Sequence, residues 1–119
     1  MTTPQIATRL VELCRKEQYE AAQKELYAND AISIEPRATP DFEKETKGLP
    51  GIIEKGHKFE AMTEKLHATT VSDPLIAGNM IAFTLGMDIS MKGAGRMQME
   101  ELCVYKVKDG KIISEEFFM

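Results

Sequence analysis

At 119 residues the chain is long enough to bury a core of its own, and one domain spanning residues 1–119 is expected. A formal net charge of −4, a pI near 5.2 and Lys and Arg scattered without a basic stripe argue against a nucleic-acid or anionic-membrane partner. No apolar run reaches the length of a membrane span, and the opening "MTTPQIATRL" lacks the basic and apolar regions of a signal peptide, so a cytoplasmic location is expected.

Thr3 followed by Pro4 reads as a helix N-cap with proline in the first turn. Ile6, Leu10, Leu13 and Cys14 then recur at helical spacing. A second, shorter helix carries Tyr19, Ala22 and Leu26 on one side, and Asn29-Asp30 reads as a turn. In "NDAISIEP" a short apolar strand ends in Glu35 against Pro36. A carboxylate at that position is a candidate general base if it points inward. The breaker-rich stretch "PRATPDFEKETKGLPG" reads as a surface loop.

A third helix is expected over about 50–67, with Ile52, Phe59, Thr63 and Leu66 inward. His57 falls on its solvated face and His67 at its C-terminal end. Beyond it, Gly-Asn, a Gly-rich connection and Asp-Gly mark three hairpins joining strands at about 69–77, 80–91, 96–108 and 111–118. Pro74 places the first of these at an edge or a bulge. Three helices in the N-terminal half must cover one face of this antiparallel meander, which makes an α+β fold.

The hairpins assign the faces. An Asp-Gly loop pairs Lys108 with Lys111, so Val104 is expected opposite Glu115 and Leu102 opposite Phe117. A four-residue loop over 92–95 then sets Leu85 opposite Leu102 and Met87 opposite Glu100. Ile81, Phe83, Leu85, Met87, Leu102, Val104, Ile113 and Phe117 share the face toward the helices, together with Glu100 and Glu115. Two unpaired carboxylates among apolar side chains would be costly, and a hollow holding water or a polar ligand removes the conflict. One bulge would exchange Glu100 for Glu101. The other face, with Ala82, Thr84, Asp88, Met97, Met99, Glu101, Cys103, Tyr105, Ile112 and Phe118, is more apolar than water requires and is expected to form a homodimer contact.

"LYANDAISIEP", the glycine-led helix "KGLPGIIEKGHKF" and the closing hairpin "VYKVKDGKIISEEFF" resemble the SnoaL-like branch of the NTF2-like superfamily, which includes ketosteroid isomerases and polyketide cyclases. The resemblance covers nearly the whole chain in element order. It implies an NTF2-like cone: a curved, mainly antiparallel sheet wrapped around a cavity closed by three helices, commonly dimeric through the outer sheet face. It further implies Glu35 as the base that shuttles a proton beside a carbonyl, and Glu100 (Glu101 in the other register) as a protonated acid that binds the enolate oxygen. The helix-one tyrosine of ketosteroid isomerases has no counterpart here, since Val11 stands near that position; Tyr19 and Tyr27 are the available phenols. Steroid isomerisation itself is not expected.

The expected function is binding of an apolar small molecule, with carboxylate-mediated proton transfer of isomerase or cyclase type on a carbonyl-bearing substrate. The alternative is a non-catalytic binding or dimerisation module. Glu35 and Glu100 are the catalytic candidates; Tyr27, Phe59, Met62, Phe83, Leu85, Met87, Leu102, Val104, Glu115 and Phe117 are the ligand-binding ones. Eight methionines, five of them between Met80 and Met99, suit either gap-filling or an adaptable ligand surface. Cys14 and Cys103 form no C-x-x-C and are expected as reduced, buried thiols. No metal site or cofactor is expected, because the two histidines share one element without carboxylates at ligand spacing and no phosphate or dinucleotide motif is present.

Overall fold

The computed structural model covers residues 1–119. Helix α1 (Thr3–Arg15) starts one residue earlier than its proline suggested. Thr2 is the cap: its hydroxyl accepts the Gln5 N–H while the Gln5 side chain accepts the Thr2 N–H, so two orphan donors are met reciprocally. The helix buries Ile6, Leu10, Leu13 and Cys14 as its spacing implied, and Ala7 and Val11 beside them. Helix α2 (Tyr19–Leu26) follows a sharp reversal in which Glu17 takes φ 60, and it buries Ala22 and Leu26.

Strand β1 (Tyr27–Ile34) leaves α2 without a loop. Strand β2 (Glu45–Lys47) lies within the stretch expected to be only loop, and pairs antiparallel with β1. Helix α3 (Leu49–Met62) ends well short of His67. The reason lies in composition and pairing: "TEKLHATTV" is rich in β-branched residues and finds a partner strand, which outweighs a helical stripe. His67 therefore sits in β3 (Thr63–Val71), with its Nε2 2.7 Å from Ser90 Oγ. His57 remains exposed and meets Glu20. Pro74 splits the expected first meander strand, leaving β3 and a short β4 (Leu75–Ala77) that both pair with β5 (Met80–Met91). Strands β6 (Gly95–Lys108) and β7 (Lys111–Phe118) complete an open seven-stranded sheet in the order β2-β1-β7-β6-β5-β3. Only the β1–β7 pair is parallel. Three helices pack on this mixed, mostly antiparallel sheet.

Register is where expectation and structure part. The β5–β6 turn uses three residues, not four, so Met91 opposes Gly95; Gly93 and Gly95 supply the positive φ the turn needs. Every side chain of β6 is thereby moved to the other face. Leu85 opposes Glu101, Met87 opposes Met99 and Phe83 opposes Cys103. Between β6 and β7 a bulge at Ile113 adds a second one-residue shift, so Tyr105 opposes Glu115 and Cys103 opposes Phe117. The two departures compensate. Glu115 and Phe117 stay on the helix-facing side with Phe83 and Leu85, while Ile112 replaces Ile113 in the core.

The core runs between α1, α2 and this inner face. It holds Ile6, Leu10, Leu26, Ile52, Ile81, Phe83, Cys103, Tyr105 and Ile112. Phe83 stacks on Tyr105 with ring centroids 5.3 Å apart. Both cysteines are buried and free. No helix is long and apolar enough to cross a membrane.

Candidate active site

Period-two alternation along β1 puts Ala31, Ser33 and Glu35 on the inner side. Glu35 does point inward, with 26% of its side chain exposed, and its Oε1 accepts a 2.8 Å hydrogen bond from Lys55 Nζ. Lys55 comes from the inner side of α3, between Ile52 and Phe59, and is only 15% exposed. A second bond from Nζ, 2.5 Å long, goes to Ser33 Oγ. The Ser33 hydroxyl donates in turn to Glu115 Oε2 at 2.6 Å, and the Tyr27 hydroxyl donates to Glu115 Oε1. A continuous polar chain thus runs Glu35–Lys55–Ser33–Glu115–Tyr27 through the base of the cone.

Burial pushes the Glu115 carboxyl above its usual range, and the Ser33 and Tyr27 hydroxyls and the Lys55 cation hold part of that rise back. The Tyr27 phenol is raised well above 10.0 by burial first and by the Glu115 charge second. With two donors and a nearby cation, Glu115 is a satisfied buried carboxylate rather than a free reactant.

Glu101 differs. It stands on the inner face of β6, opposite Leu85 and two residues from Cys103, whose Sγ is 3.9 Å from Glu101 Oε1. Burial pushes its carboxyl up to about 7, the Glu35 and Glu115 charges add to the rise, and Cys103 and Lys55 offset part of it. Near neutral pH it is therefore poised between acid and base, the condition under which a carboxyl serves best in proton transfer. Next to it the sheet rows Met87–Met99 and Ile89–Met97 carry methionines on the inner face, most of them half-buried. Phe59 and Met62 on α3 are half-buried as well, and the Lys92 N–H bonds to the Met62 carbonyl, so the end of α3 abuts the β5–β6 turn. These half-buried side chains make this end of the inner face apolar.

Several expected site residues are corrected by these placements. Glu100 is exposed on the outer face, as is Leu102, and Val104 lies beside them, because the three-residue turn rotates β6. Phe83 and Leu85 belong to the packed core, and Tyr27 is buried there with its hydroxyl committed to Glu115. Met87 and Phe117 pack at the core's edge, and Lys55 Nζ lies 5.7 Å from the Phe117 ring centre. Two open hollows of about 400 and 440 Å³ lie along α1, lined by residues such as Arg9, Glu12 and Asp73, and include none of the inner carboxylates. No three His, Cys, Asp or Glu side chains converge as a metal site.

Ser33 and Lys55 were not singled out from the sequence, yet both left a signal. Ser33 alternates with Glu35 and shares its face. Lys55 falls three residues after Ile52 and four before Phe59, a charge on an otherwise apolar inner stripe.

Three helices packed on a mixed, mostly antiparallel open sheet of seven strands make an NTF2-like fold. The chain belongs to the SnoaL-like family, whose domain model matches residues 1–119. Among solved structures it resembles a candidate SnoaL-like polyketide cyclase from Mesorhizobium loti, 28% identical, with 100% of each chain covered and a TM-score of 0.91. A ketosteroid isomerase-like protein from Catenulispora acidiphila, solved with trimethylamine, is 20% identical over 99% of this chain and 87% of its own, with a TM-score of 0.70. TerC, co-crystallised with polyporic acid, is 12% identical over 98% of this chain and 90% of its own, with a TM-score of 0.78. At those two identities the likeness is one of fold. No curated protein matches the sequence.

Proposed function

We propose that the protein binds an apolar, carbonyl-bearing small molecule at the methionine-lined end of the cone and moves a proton on it. The carrying observation is Glu101, an inward carboxyl raised to about 7 beside Leu85 and the methionine rows. In its protonated form it donates a hydrogen bond to the substrate carbonyl oxygen, which strengthens as enolate charge develops. Glu35 takes the proton from the carbon next to that carbonyl and returns it to the conjugated carbon. Lys55 holds Glu35 by one oxygen and balances the charge of the carboxylate group. Proteins of this fold have been crystallised with polyporic acid and with trimethylamine, which supports a small-molecule ligand here.

One observation favours binding without chemistry: Glu35 is already committed to an ion pair with Lys55. A panel of unsaturated ketones in D2O separates the two readings. Catalysis gives deuterium at the carbon beside the carbonyl, seen by NMR, and Glu35→Gln, which removes the base, abolishes it. Binding shifts in the protein spectrum without deuterium uptake support the non-catalytic module.

A homodimer through the outer sheet face is part of the same proposal. The register shift moves Met97, Met99, Glu101, Cys103, Tyr105 and Ile112 off that face and brings Leu102 onto it beside Phe118, its cross-strand partner. Leu102 is 41% and Phe118 47% exposed, and Leu75 lies exposed two rows away. A contiguous apolar patch of this kind marks an association surface.

A further inference from the structure

We infer that Lys55 is a catalytic residue of this proton transfer: its cation passes from Glu35 to the substrate oxygen as charge collects there, as a second donor beside Glu101. The inference rests on the site and reaction proposed above, and gives the ion pair at the base a part in the chemistry.

Lys55 Nζ bonds to two groups, Glu35 Oε1 at 2.8 Å and Ser33 Oγ at 2.5 Å. A lysine carries three N–H donors, so one is left for a ligand. Glu35 meets Lys55 through Oε1 alone, which leaves Oε2 open to take a proton. Both side chains keep part of their surface exposed, so a ligand reaches the pair without entering the packed core. Lys55, Phe59 and Met62 follow at i, i+4 and i+7 on α3, so the cation begins the apolar stripe that ends against the β5–β6 turn. Lys55 Nζ also lies 5.7 Å from the Phe117 ring centre. Phe117 belongs to β7, between the strand that ends at Glu35 and the strand of Glu101, and it pairs with Cys103, the inner neighbour of Glu101. Lys55 therefore stands over the strand that separates base from acid.

In any ketone the carbon that gives up a proton lies about 2.4 Å from the carbonyl oxygen, as bond lengths fix. A substrate whose carbon meets Glu35 Oε2 thus brings its oxygen within reach of a cation already bonded to Oε1. As the C–H bond breaks, its proton goes to Glu35 and its electron pair passes through the carbonyl carbon onto the oxygen. Glu35 loses its charge while the oxygen gains one. The pull on the cation moves with that charge, over a short path that the flexible lysine stem allows. The new contact is strongest where negative charge develops, which is the condition for lowering the barrier. When the proton returns to the conjugated carbon, the enolate electrons restore the carbonyl and Lys55 pairs with Glu35 again.

The test has a binding arm and a rate arm, both on the full chain. Glu35→Gln serves as the neutral, protonated state of the base, in which Lys55 is released. At pH 6 it is expected to prefer 2,4-dinitrophenolate, an enolate mimic, over the methyl ether 2,4-dinitroanisole by about tenfold in absorbance titrations, the worth of a bond to a charged group. Adding Lys55→Met is expected to abolish the preference and adding Lys55→Arg to keep it. In the deuterium assay, Lys55→Met alone is expected to slow uptake about a hundredfold at saturating ketone, as loss of one oxyanion donor does. Thermal unfolding checks each variant, and Lys55→Gln replaces Lys55→Met should the latter not fold. If both probes bind but the preference is absent or survives Lys55→Met, or if Lys55→Met exchanges at the parental rate, Lys55 only steadies Glu35 and the inference falls while the binding site stands. If neither probe binds, or the parent takes up no deuterium, the proposed reaction and the inference fall together.

Discussion

Glu101 gives the sharpest expectations for a single residue. Its folded-state carboxyl is raised from 4.5 to about 7, so between those values the native protein holds a proton that the unfolded chain has released. Stability from this group is fully present below the ordinary carboxylate range and is lost as pH rises through about 7. Glu101→Gln removes the dependence. The variant is expected to be more stable than the parent at pH 8, by on the order of 2 kcal/mol, and no more stable at pH 4, as read from urea midpoints. Lys55→Met takes away a cation that holds Glu101 down and leaves the Glu35 charge unbalanced, so the Glu101 titration is expected to move further upward. Glu115→Ala strands the Tyr27 and Ser33 hydroxyls in the core; a loss of about 2–4 kcal/mol in chemical denaturation is expected, with Glu115→Gln costing less.

Among the elements, the β6–β7 bulge decides which side chains reach the site. Deleting Ile113 would restore an unbulged strand and turn Glu115 and Phe117 to the outer face, or else break the turn at Asp109-Gly110. The first outcome removes the Glu115–Tyr27 bond and the second the closing hairpin, and loss of cooperative unfolding is expected by circular dichroism. This bulge also shows how far the sequence could be read. Helix stripes, hairpin turns and the order of elements were legible, because helical periodicity and Asp-Gly or Gly-Asn pairs are local signals. The inward turn of Glu35 was implied only by the family resemblance, since a carboxylate at a strand end before a proline can face either way. The choice between Glu100 and Glu101 did not, since it hangs on whether "KGAG" closes with three residues or four, and adjacent carboxylates offer no contrast in polarity. The end of α3 was misread for a related reason: Leu66 continues a helical stripe, and the strand partner that claims it lies over twenty residues further along. Strand β2 was hidden because three polar residues gain their structure from pairing with β1 alone.

Across the whole molecule, the curved sheet divides two tasks between its faces. The inner face carries the core, the buried polar chain and the rows of half-buried methionines. The outer face carries Leu102 and Phe118 side by side at positions that nothing in the monomer covers. Leu102→Asp is expected to shift the protein from dimer to monomer in light scattering while leaving its circular dichroism unchanged; an unaltered mass would remove the dimer from the proposal. The proposed chemistry depends on something separate, the proton that Glu101 keeps in its apolar setting. A 13C-detected NMR titration of the Glu101 side-chain carboxyl tests this most directly. A midpoint close to 7, displaced when an apolar ketone is added, is the expected result. A midpoint in the ordinary carboxylate range, unmoved by ketone, would mean that Glu101 is open to water and that the inner face holds no working acid.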